Sequence, residues 1–201
     1  MNKIDLIADS LIILGEAPIS DLDDGSDVSQ IINSTYPAFK YHILSAYDWT
    51  FARKQRLLAR KTDTPIFGYD YIYQLPTDFF RVINVYGDSS AESTVDNYSI
   101  KADGLYTNEE KIYIDYISNV SEEDFPPYFL QFYTYAYAEK ICFSLTERAD
   151  RQQILQNKAY GTASESWRGG MFAEARNIDA KQEQNQAIEL YESVLVRWQK
   201  C

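Results

Sequence analysis

The chain has 201 residues, 45% of them apolar and 24% charged, with a formal net charge of −11. A chain of this size buries enough surface to fold without disulfides or metal, and its acidity excludes broad neutralisation of a nucleic-acid backbone. No stretch approaches the ~20 consecutive apolar residues of a membrane-spanning helix.

Asn2 is placed to cap a first helix over about 2–14, with Asp5 at its N-terminus. Ile4, Ile7, Leu11 and Leu14 recur at helical spacing, and Gly15 stops the run. Asp5, Asp9 and Ser10 interrupt the apolar residues, so the segment does not read as a signal peptide, and a reducing cytoplasm is the expected place of synthesis. Turn formers fill 18–25. Asp27 is read as the cap of a second helix, about 27–48, with Val28, Ile31, Ile32, Thr35, Phe39, Ile43 and Tyr47 inward. Pro37 lies inside that pattern and predicts a kink or short break.

The period then changes to two. Tyr69–Leu75 reads as a strand ended by Pro76, and Phe80–Tyr86 as a second strand closed by Gly87. Weak strands at 97–101 and 105–107 flank Ala102-Asp103-Gly104, and Lys111–Ile117 is a strong strand. Arg53–Ala59 is available to pair with one of them. The expectation is one small antiparallel sheet of four or five strands, a β subdomain at about 52–118, with a mobile polar loop at 89–96. Pro126 and Pro127 suit the first turn of a third helix, about 126–146, which is apolar on nearly every side and so belongs at the centre of a bundle. Asp150 is read as the cap of a fourth helix, about 150–178, weakened at Gly161, Gly169 and Gly170. The predicted class is α+β: an antiparallel bundle of about four helices with an inserted β subdomain, in one domain over 1–182. Residues 183–201 form a polar tail in which Ile188, Tyr191, Leu195 and Trp198 recur at helical spacing. A short terminal helix needs a surface to dock on, so these four are candidate partner-binding residues.

Chemistry finds little support. The single histidine, His42, shares helical spacing with Ser45 and Asp48, but this triad lacks a strained turn and oxyanion donors. Asp23 and Asp24, or Glu122 and Glu123, sit in turn-like stretches as caps. Asp21–Asp27 lacks the calcium-loop pattern. Cys142 and Cys201 have neither zinc nor disulfide-framework spacing. The cluster Arg53, Lys54, Arg56, Arg60 and Lys61 could touch phosphate, and reads better as a solvated face or as salt-bridge partners. No catalytic residue, metal or cofactor is assigned. The 17 tyrosines supply either core or contact surface.

Four short motifs stand in order along the chain: Trp49-Thr50-Phe51-Ala52, Tyr73-Gln74-Leu75-Pro76-Thr77-Asp78, Asp124-Phe125-Pro126-Pro127-Tyr128-Phe129 and Ala175-Arg176-Asn177-Ile178-Asp179-Ala180. With the Leu14–Asp24 entry, they resemble the tail tubular protein A family, the adaptor ring between portal and tail nozzle in short-tailed bacteriophages. Tyr47-Asp48 stands where many relatives have histidine-proline, and nothing from Glu183 onward has a counterpart. On its own residues, Trp49 and Phe51 are aromatic anchors pinning a helix end to the sheet, Pro76 breaks a strand, and Asp78 can bond its own turn. Arg176 belongs to the motif that closes the fourth helix. The resemblance implies a virion protein made in the host bacterial cytoplasm and assembled as a twelve-fold homo-oligomeric ring. It further implies a portal protein above, a nozzle protein below, and DNA passing unread through the lumen. The competing expectations are a hydrolase using the His42 region and an all-helical, non-catalytic scaffolding module without a sheet.

Overall fold

The computed structural model describes residues 1–166 and 169–182. Local sequence sets the first helix, α1 (Lys3–Leu14): Asn2 Oδ1 accepts from the Asp5 N–H at 2.8 Å, the Asp5 carboxylate accepts from the Asn2 N–H at 3.3 Å, and Gly15 closes the helix at φ 72°. The next helix, α2, spans Asp27–Ser45 and is capped by Ser26 rather than Asp27; Ser26 Oγ accepts from the Ser29 N–H at 3.2 Å. Asp27 sits instead in the first turn, where a negative charge favours the helix dipole. Pro37 does not break α2. Tyr36 and Phe39, on either side of it, both pack against Tyr133 and Tyr137, which carries the helix through.

Those two tyrosines belong to α3 (Pro127–Thr146), which opens on Pro127 and buries Phe129, Phe132, Ala136, Ala138 and Ile141. It packs against α1 and α2 and against two later helices, α4 (Ala149–Tyr160) and α5 (Gly170–Asp179). The single fourth helix expected over about 150–178 is therefore two. Gly161 ends α4 at φ 82°, and a short 3-10 turn at Ala163–Glu165, boxed by Thr162 and Glu165, redirects the chain. Asp150 is not the cap of α4 either: Arg148 occupies that place, and the two form an ion pair at 3.1 Å.

The strands, in chain order, are β1 (Arg53–Leu57), β2 (Ala59–Arg60), β3 (Tyr71–Gln74), β4 (Phe79–Tyr86), β5 (Tyr98–Lys101), β6 (Gly104–Thr107) and β7 (Tyr113–Ser118). They form two antiparallel sheets, ordered β1-β7-β4 and β2-β3-β6-β5, not the single sheet that the strand pattern predicts. The chain crosses between them at Leu58, whose side chain is buried with Tyr73, Ile114 and Tyr116. The β1-β7-β4 sheet is the middle layer. Ile117, Phe80 and Ile83 reach the helical core on one side, and Val82, Val85, Ile114 and Tyr116 meet Tyr73 and Leu105 of the other sheet. Register shifts at Phe79/Arg81 and Val82/Asn84 let β4 serve both sides. The polar 89–96 stretch closes on itself, with Gly87 N–H to Ser93 O at 3.0 Å and Val95 N–H to Val85 O at 2.9 Å. The fold is α+β.

Gly104 starts β6 at φ 155°, against the backbone of Tyr73; a Cβ there would collide with the Tyr73 carbonyl oxygen. Gly104→Ala is expected to destabilise the protein by about 1–3 kcal/mol, measured by urea unfolding.

Candidate functional site

Three of the four motifs meet at the junction of helices and sheet. The chain leaves α2 through Trp49 and a 3-10 turn at Thr50–Ala52 before entering β1. Trp49 is fully buried. Its indole N–H donates to Ile43 O at 3.1 Å, and its ring lies 4.8 Å from Phe129 and 6.1 Å from Phe172. Phe51 packs 4.7 Å from Phe129 and 5.8 Å from Phe125. Both pack as aromatic anchors, but the rings they meet belong to α3, its approach and α5 rather than to the sheet expected to hold the helix end.

Between them, Thr50 meets a carboxylate from the far end of the described chain. The Thr50 N–H donates to Asp179 Oδ2 at 3.0 Å and its hydroxyl to Oδ1 at 2.8 Å, while the Tyr128 hydroxyl donates to Oδ1 at 2.7 Å. Asp179 is fully buried. Burial and this carboxylate hold the Tyr128 hydroxyl well above the usual tyrosine range. Arg176, one turn earlier on α5, lies 5.0 Å over the Tyr47 ring and 5.3 Å over Phe172. Tyr47 thus has a packing role here.

Pro76 and Asp78 lie in the β3–β4 turn. The Phe79 N–H donates to Pro76 O at 3.2 Å, and the Asp78 carboxylate reaches across to Lys54 Nζ at 2.8 Å and the Tyr116 hydroxyl at 3.0 Å. Burial pushes the Asp78 pKa up, but the bonds from Lys54 and Tyr116 outweigh it and leave the carboxyl below its usual range. The other basic residues of the cluster are mostly engaged too: Arg53 with Asp115, Arg60 over the Tyr71 ring, and Lys61 with the Asp103 carbonyl.

A second polar node ties α2 to the segment before α3. The Glu122 carboxylate accepts from the Tyr36 hydroxyl at 2.9 Å and pairs with Lys40 at 3.1 Å. Burial raises its pKa, and bonds from backbone, Tyr36 and Lys40 more than reverse that, leaving it lowered.

The His42 group does not assemble. His42 is exposed, Asp48 is paired with Arg81, and among the described residues no hydrogen bond joins His42 to Ser45 or Asp48. His42 lines a pocket of about 330 Å³ with Phe39, Glu139, Lys140 and Tyr160. Burial raises the Glu139 pKa there, against the bond it accepts from Gln152. Among the described residues no cluster of three His, Cys, Asp or Glu could hold a metal ion, and no helix is long and apolar enough to cross a membrane. Ile188, Tyr191, Leu195 and Trp198 lie outside the described residues. The sequence singled out Trp49, Phe51 and Arg176 but gave Thr50 and Asp179 no role; the only signal for Asp179 was its place in the last motif.

No protein-family model matches the chain, and no curated protein matches it either.

Asp179→Ala leaves three donors unpaired in a buried site and is expected to cost about 3 kcal/mol, seen calorimetrically as a fall in Tm of roughly 6–12 °C. Glu122→Gln should destabilise the protein near neutral pH by about 1–2 kcal/mol. Because the folded Glu122 pKa is depressed, its contribution is present above the unfolded carboxyl value of about 4.3 and is lost as pH falls through the lower folded value. Parallel pH–Tm curves of the variant and the parent are expected to converge at acid pH.

Proposed function

We propose that the chain is a structural subunit of a short-tailed phage virion, forming the adaptor ring between the portal and the tail nozzle. The carrying observation is the convergence of motif residues on one node around the buried Asp179. Thr50, Tyr128 and Asp179 come from three separate motifs that carry the family resemblance, and they bond directly to one another. Around them stand Trp49, Phe51, Phe129 and Phe172, which present packing rather than a reactive group. Such a node suits a part that transmits load between assembled neighbours. It ties the turn that leads into β1 to α3 and α5 through bonds that are partly shielded from water.

Contact surface is also on hand. Ile66 and Phe67, adjacent in the β2–β3 connection, are 95% and 78% exposed. Two neighbouring large apolar side chains in water fit a subunit that meets another protein. In a closed ring each subunit touches two neighbours through different faces. Twelve copies would enclose a lumen through which DNA passes unread, and the acidity of the chain would keep the duplex from adhering to the wall.

Native mass spectrometry of the protein mixed with a candidate phage portal ring tests this reading. Twelve copies on the portal are expected, and a monomer that ignores the portal overturns it. Leu195→Ala combined with Trp198→Ala is expected to leave the Tm of the isolated protein unchanged and to weaken portal association by about tenfold or more in the same experiment.

A further inference from the structure

Strand β1 is one of the two edge strands of the middle sheet, and the two sides of that edge differ in chemistry. Strand β1 pairs with β7 on one side only. Leu58 N–H donates to Ile112 O at 2.9 Å, which fixes the phase of the ladder. By alternation, Arg56 and Lys54 turn their backbone groups inward to β7, and Gln55 and Leu57 turn theirs outward. Gln55 and Leu57 are both exposed, and among the described residues neither backbone is bonded to another strand.

Side chains alternate across this edge. Leu57, 54% exposed, shares its row with Tyr113 and Tyr86, and the three line a pocket of about 210 Å³ on that side. Lys54 and Arg56 project from the opposite side, where a second pocket of about 240 Å³ runs from Arg56 to the Gln74–Thr77 turn. Lys54 is paired with Asp78, and Arg56, which hydrogen-bonds the Tyr116 hydroxyl, has no carboxylate partner among the described residues.

We propose that β1 is a docking edge for an extended segment of another protein in which apolar and acidic residues alternate. Added as a further strand, such a segment bonds the outward groups of Gln55 and Leu57, places its apolar side chains over Leu57 and Tyr113, and places its carboxylates on Arg56. Charged residues on an edge deter indiscriminate pairing. Here they make the edge selective: a neutral strand brings Arg56 no counter-charge, and a basic one is repelled. Neither the open edge nor its two-sided chemistry requires a ring, so the proposal stands or falls separately from the adaptor reading.

The probe is a fluorescent, end-blocked peptide of alternating glutamate and valine, titrated against the full-length protein by anisotropy. Saturable binding is expected, with no binding of the lysine–valine counterpart and an affinity loss of about tenfold or more for Arg56→Glu. Methylating alternate peptide amides separates strand addition from loose charge attraction without altering the protein: one set of amides should abolish binding and the other leave it intact. Gln55→Pro, which removes an outward donor, should likewise abolish it. Absence of saturable binding overturns the proposal, as does binding indifferent to which amides are methylated. Self-association of the free protein that Gln55→Pro converts to monomer would assign the edge to a second copy, which also overturns it.

Discussion

A carboxylate with no surface of its own in water is stable only if its oxygens are occupied, and the arrangement around Asp179 follows from that constraint. Its partners are a backbone N–H and a hydroxyl from Thr50 and a phenol from Tyr128. They come from the turn after α2 and from the first helical turn of α3, so one residue at the end of α5 fixes three elements at once. Trp49 and Phe51 flank Thr50 in sequence, and their rings are therefore delivered to Phe129 and Phe125 as a consequence of the same bonds. Arg176 lies beside this arrangement, its guanidinium over the Tyr47 and Phe172 rings.

The middle position of the β1-β7-β4 sheet is the second constraint. A strand that packs on both faces needs apolar side chains in both directions, and β4 carries them: Phe80 and Ile83 toward the helices, Val82 and Val85 toward the other sheet. Strict alternation cannot place those four residues so, which is why the ladder slips twice within one strand. The second sheet is then held through Leu58, Tyr73 and Leu105 rather than through any helix.

What could be read from the chain divides along physical lines. The capping of α1 and the central place of α3 depend on residues within a few positions of one another, and both were legible. At α2, Ser26 and Asp27 are adjacent and equally able to cap, so the choice between them was not. Gly161 was legible as a weakness of the fourth helix but not as its end, because its positive φ depends on how α5 returns to the core. The division of seven strands into two sheets depends on pairings between distant segments, to which local periodicity is blind. At the candidate site, the aromatic anchors were legible from residue type alone. Asp179 was not, since a buried acid and a solvated one look the same in sequence until Thr50 and Tyr128 are seen beside it.

The register of the middle sheet also sets a timetable. Arg53 pairs with Ile117, and Phe79 with Ser118, so neither β1 nor β4 has its neighbour until β7 has been synthesised. Through that interval the nascent chain carries two bare strands, and pairing across such a separation is slow relative to helix formation. Lys54 and Arg56 put positive charge on the first of them, and charge on a bare strand opposes edge-to-edge association until β7 closes the sheet.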